Sequence, residues 1–144
     1  MDLMTTIPSV AHVIEQAVAP VFLLTGIGSI LGVLTNRLGR VVDRFRILNE
    51  LKSSIAHEKN HHTEMRNLSA RARWIHWAIS LCTISALCIC LSIAALFAAA
   101  ELSADLSGFV SVLFVAAMLA LISGLLCFLR EIALATGIIE IRDS

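Results

Sequence analysis

The sequence predicts an all-α membrane protein: three transmembrane helices, with a cytoplasmic antiparallel helical hairpin between spans one and two. Three observations predict it. The 144 residues are 58% hydrophobic and only 15% charged, with a mean hydropathy of +0.85, which is too little charge to cover a soluble domain of this length. Three apolar runs, Ala17–Thr35, Trp74–Ala100 and Leu106–Leu129, contain no Asp, Glu, Lys or Arg. Each meets or approaches the roughly 20 residues that a helix needs to cross a bilayer. The basic residues are also one-sided: all of the eleven Lys and Arg except Arg130 and Arg142 lie between Arg37 and Arg73.

That asymmetry sets an expected orientation. The positive-inside rule puts residues 36–73 and the C-terminal tail, 130–144, in the cytoplasm and the N-terminus outside. Residues 1–16 form the outer N-terminal segment. A short outer helix over 8–18 is predicted, overlapping the end of that segment, opened by Pro8 and with Ile7, Val10, Val13, Ile14 and Val18 on one side. Pro20 then predicts a kink or a helix restart at the beginning of span one. His12 and Glu15 are spaced as a solvated surface pair. No basic segment precedes the first apolar run, so a cleaved signal peptide is not expected.

Span one, residues 17–35, contains TGIGSILG at 25–32, whose glycines resemble a nucleotide-cradling turn. A dinucleotide fingerprint requires G-x-G-x-x-G between a strand and a helix in an alternating βα pattern. Gly26, Gly28 and Gly32 give G-x-G-x-x-x-G inside an unbroken apolar run, so a helix is predicted and no cofactor is expected. Gly28 and Gly32 instead form a G-x-x-x-G pair, which lets helix backbones approach closely in lipid. Thr25, Ser29, Gly32 and Asn36, with Gly28 beside them, share one face. Its expected role is helix packing, and the alternative is the lining of a narrow aqueous path in an oligomer.

In the connection, residues 36–73, Leu38, Val41, Phe45 and Leu48 recur at helical spacing and predict a hairpin contact stripe. Charged pairs such as Arg40 with Asp43 occupy the other faces. The pattern breaks at HEKNHH, and Met65, Leu68, Ala72 and Ile75 resume it, so the predicted hairpin turns near residues 58–62. The stretch APVFLLTGIGSILGVLTNRLGRVVDRFRIL, residues 19–48, resembles a bacterial integral-membrane family known as domain of unknown function 2721. The resemblance runs from about Ile14 through span three. It implies a small multi-pass protein of the bacterial inner membrane, and it supplies no reaction, ligand or active site.

Span two covers 74–100, a short outer loop 101–105, and span three 106–129. Small residues again line one face of each: Ser85, Cys88, Ser92, Ala95 and Ala99, then Ala116, Ala120, Ser123, Gly124 and Cys127. The four cysteines, Cys82, Cys88, Cys90 and Cys127, all fall inside spans and are expected to pack rather than to pair. HEKNH at 57–61 matches H-E-x-x-H in form. Lys59 and Asn60 do not suit a helix packed inside a catalytic core, and Glu64 and His62 are too close along the chain to be a remote third ligand. No soluble domain supplies a cleft, so a charged hairpin tip is expected and no catalysis. The alternative is adventitious or regulatory metal binding by His57, His61 and His62.

Arg37, Arg40 and Arg44 share a face just inside the membrane, and Arg71 and Arg73 return to that level. Contact with anionic lipid headgroups is the expectation, with Trp74 and Trp77 as interfacial aromatics. Phe45 alone among these arginines does not make a stacking platform, so no nucleic-acid partner is expected. Taken together, the sequence predicts no enzyme. It predicts a self-associating homo-oligomer that contacts membrane lipids and uses its hairpin for assembly or for an unidentified protein partner. The alternative is a subunit of an oligomeric ion or small-solute channel.

Overall fold

A computed structural model describes the backbone of residues 3–52 and 58–142, and side chains over 10–51 and 63–137. Among the described residues every element is α-helical: α1 Leu3–Lys52, α2 Glu58–Leu102 and α3 Ser107–Arg142. Each contains a segment long and apolar enough to cross a membrane, namely Val10–Leu51, Thr63–Leu102 and Ser107–Gly137. At 50, 45 and 36 residues, all three helices exceed the roughly 20 that crossing requires.

The helices correct three boundaries expected from the sequence. Residues 3–16 belong to α1 and are not a separate outer helix, and α1 continues through Pro8 and Pro20. Proline lacks the N–H of one i→i−4 bond, and the bonds on either side carry the helix past it. The sequence 58–62, expected to hold the turn, is the first segment of α2; residues 53–57, with His57, lie outside the described residues. The arms of the expected hairpin are continuations of the spanning helices, because backbone hydrogen bonding does not stop where hydropathy falls.

The chain divides into two compact units. The first comprises Met1–Ile30 and Cys82–Ile122. It buries Ala17 and Ile27 of α1, Cys82, Ser85, Ile89 and Ser92 of α2, and Ala117 and Leu121 of α3. Two buried hydroxyls are satisfied by backbone carbonyls: Ser85 Oγ donates to Ala117 O across the helix pair at 2.7 Å, and Ser92 Oγ donates to Cys88 O at 2.8 Å. Small polar residues thus let α2 and α3 come close without leaving an unsatisfied group in an apolar setting.

The α2–α3 turn follows Leu102. Ser103 adopts φ 50°, the left-handed conformation in which helices commonly end. Asp105 then opens α3, its Oδ1 accepting the Ser107 hydroxyl at 2.6 Å and the Ser107 N–H at 3.2 Å. These two bonds, the hydroxyl first, hold the Asp105 carboxyl below its ordinary value of 3.8. A carboxylate whose folded pKa is depressed adds stability that is fully present above the unfolded value. That stability disappears as pH falls through the lower folded value. The thermal midpoint of the wild type should therefore exceed that of Asp105→Ala at neutral pH, and an acid titration of both should bring the two curves together below about pH 4. Curves that stay parallel to low pH would contradict this.

The second unit comprises Leu31–Leu81 and Ser123–Ser144. Its buried residues are Leu34, Val41 and Leu48 of α1, Leu68, Ile75 and Ala78 of α2, and Gly124 and Glu131 of α3. Seven-residue spacing links all of this set but Ala78: 34, 41 and 48; 68 and 75; 124 and 131. It is the seam spacing of coiled-coil packing, and it brings Glu131, a carboxylate, into a position that geometry reserves for the interior.

Candidate functional site: a buried carboxylate and a basic recess

Glu131 is fully buried, at 0% exposure. Burying a lone carboxylate costs several kcal/mol, so the neighbours must supply charge and hydrogen bonds. Arg37 of α1 donates through Nη1 to Glu131 Oε2 at 2.5 Å. Arg71 of α2 donates through Nε and Nη2 to Oε1, at 3.2 and 3.0 Å. The carboxylate therefore accepts three charge-assisted bonds from two helices and ties α1, α2 and α3 together. The two arginines remain partly open, at 37% and 25% side-chain exposure. The Arg37 guanidinium also lies over the Phe128 ring, 5.3 Å from its centroid, one helical turn before Glu131, where cation–π attraction adds to its positioning.

Beside this clamp is a recess of about 180 Å³ lined by Arg37, Arg40, Val41, Arg44, Leu68 and Arg71. The local sequence explains the lining. Val41 and Leu68 face inward on the seven-residue seam. Arg37 and Arg44, four residues before and three after Val41, flank it on α1, and Arg40, adjacent to Val41, lies three and four residues from those two arginines on the same edge. Arg44 Nη2 donates to Glu64 Oε1 at 3.2 Å across the helix pair. Arg40 has no ion pair among the described residues, not even with Asp43 one turn on.

Four of the residues expected at lipid headgroups are thus brought together in one recess. Arg73, Trp74 and Trp77 are exposed on α2 and do not line it. The expected hairpin stripe divides: Val41 and Leu48 are buried, Leu38 is half-buried, and Phe45 is exposed. On α1, Thr25, Gly28, Ser29, Gly32 and Asn36 are all exposed. The Thr25 and Ser29 hydroxyls bond back to the Val21 and Thr25 carbonyls of their own helix. Among the described residues no three His, Cys, Asp or Glu side chains assemble into a possible metal site; His57 and the side chains of His61 and His62 lie outside them. Glu131 is the residue that sequence reasoning missed. Next to Arg130 at the end of an apolar run it reads as the start of a polar tail, and only the register through Ala117 and Gly124 turns it inward.

The profile of the DUF2721 family, described as a protein of unknown function, matches residues 17–141. The chain belongs to the DUF2721 family. The matched region contains the whole clamp and the recess. No curated protein and no solved structure matches this DUF2721 chain, so the site stands on its own geometry.

Proposed function

We propose that this DUF2721 protein is a non-enzymatic, self-associating multi-pass protein of the bacterial inner membrane, with its N-terminus outside and its C-terminus in the cytoplasm. In this reading the extensions of α1 and α2 project as a cytoplasmic hairpin, and a second copy docks along the Thr25–Asn36 face of α1. One observation carries it. That face of small residues is left out of the chain's own packing: a Cβ added at Gly28 or Gly32 would meet nothing within 4 Å. Elsewhere the exposed surface carries many large apolar side chains, such as Phe22, Val112 and Leu119, which hydrocarbon accepts without help. Glycine and hydroxyl side chains are instead the residues that let a second helix approach. The orientation rests on the cluster of arginine and lysine between residues 37 and 73.

The test is the mass of the purified protein in nanodiscs by native mass spectrometry; a monomer at all concentrations overturns the proposal. The hairpin contact has its own test. Leu48 is buried in the chain's own packing, so a charge there would damage the fold itself. Phe45 is 37% exposed, so Phe45→Glu should leave helix content unchanged while lowering the oligomeric fraction. An unchanged mass distribution would remove the hairpin from the interface.

A channel subunit is the second reading, favoured by the hydroxyls of Thr25 and Ser29 on the same exposed face as Asn36. It requires a closed ring of several copies, with ion flux that bulky residues at Ser29 and Gly32 abolish. A purified ring that conducts nothing rules it out.

A further inference from the structure

The recess carries more positive charge than the chain neutralises. Four guanidinium groups line it, and two carboxylates answer them: Glu131, shared by Arg37 and Arg71, and Glu64 on Arg44. Four less two leaves an excess of two positive charges, with Arg40 lacking an ion pair among the described residues. Hydrogen-bond capacity is also unspent. A guanidinium presents five N–H donors, whereas Arg37 uses one nitrogen on Glu131, Arg71 two, and Arg44 one on Glu64. Glu131 fixes the guanidinium planes of Arg37 and Arg71 before any ligand arrives, which lowers the ordering cost of binding. Val41 and Leu68 complete the lining with apolar surface, which strengthens charge interactions by lowering the local dielectric. At about 30 Å³ of liquid volume per water, a recess of about 180 Å³ has room for a tetrahedral oxyanion with some of its waters.

We propose that this recess is a binding site for a phosphate group, carried either by an anionic lipid headgroup or by a soluble phosphate compound. Planar forks converging from two helices suit phosphate oxygens better than a single carboxylate, which Glu131 already supplies. The sequence position also suits headgroup phosphates: Arg37 lies two residues past the end of the apolar run Ala17–Thr35, and Arg71 three residues before Trp74. The site stands on the arginine geometry and needs neither self-association nor a pore.

The test uses the full chain in dodecyl maltoside micelles, which contain no phosphate. Thermal midpoints are recorded against inorganic phosphate at constant ionic strength and, separately, against phosphatidic acid added to the micelles. A ligand that binds the folded chain raises the midpoint with its concentration. A rise with inorganic phosphate identifies a site open to soluble phosphate compounds. A rise with phosphatidic acid alone identifies a headgroup site. No rise with either overturns the proposal.

The double variant R40Q/R44Q leaves the Glu131 clamp in place and alters two exposed side chains. It should keep its helix content and weaken the apparent affinity at least tenfold; a response equal to wild type overturns the proposal. Should that variant fail to fold, E64Q retains every arginine and frees Arg44 from its partner. It should bind several-fold more tightly than wild type, and equal or weaker binding would likewise overturn the site.

Discussion

Replacing Glu131 with alanine is expected to destabilise the fold by about 3 kcal/mol, the low end of what removing one partner of a buried ion pair costs. The low end applies because Arg37 and Arg71 keep 37% and 25% of their side-chain surface open and can recover part of their hydration. Glu131→Gln should cost less, since the amide oxygen still accepts a bond from one arginine. The charge-assisted share lost would be about 1.5–3 kcal/mol. Reversible unfolding in mixed micelles measures both. A loss below about 1 kcal/mol for the alanine variant would mean that water or lipid already compensates the arginines, and that the clamp is not what joins the three helices. A second comparison separates the ion pair from packing. In a double-mutant cycle between Glu131→Ala and Arg71→Ala, two groups in direct contact should couple by about 0.5–3 kcal/mol. Replacing all three members with apolar residues of similar volume should recover most of the stability, because the desolvation of three charges is then removed as well.

How much of this was legible depended on whether a residue's environment is set by its own segment. The three candidate spans were plain, because surface facing hydrocarbon must be apolar over a fixed length, and hydropathy reports that directly. Ser85 and Ser92 were legible as packing residues for the same local reason, and both are buried on α2. Helix beyond Thr35 was legible in the spacing of Leu38, Val41, Phe45 and Leu48, but its continuity with the span was not. A drop in hydropathy looks like a boundary, yet one helix runs to Lys52, because charged residues such as Arg46 and Glu50 are good helix formers. The arginines were visible as charge at a given depth, and lipid was the natural partner. The partner that the fold supplies, Glu131, lies 94 residues away from Arg37 and 60 from Arg71, a separation that no window along the chain detects. The seven-residue register of α3 was the one local signal that could have turned Glu131 inward.

Gly28→Leu and Gly32→Leu should collapse the proposed assembly to monomers while leaving each chain folded. Within one chain both positions are exposed and a Cβ there has no neighbour within 4 Å, so the new side chains should be accommodated at the surface. Leucine also improves helix propensity over glycine by up to about 1 kcal/mol, so a drop in monomer stability is not expected. Between chains the effect has the opposite sign. A backbone-to-backbone approach that glycine permits is blocked by a branched side chain on both partners of a symmetric contact. At least a tenfold loss of association, about 1.4 kcal/mol, should appear as a shift to monomer mass in native mass spectrometry. Gly32→Ala should fall between the two, and Leu119→Ala, on an exposed position of α3, should leave the mass unchanged. Retention of the wild-type mass by Gly32→Leu would place any interface elsewhere and remove the basis for a pore along this face. Loss of mass with an unchanged unfolding midpoint would show that the small residues of α1 serve a neighbour and not their own chain.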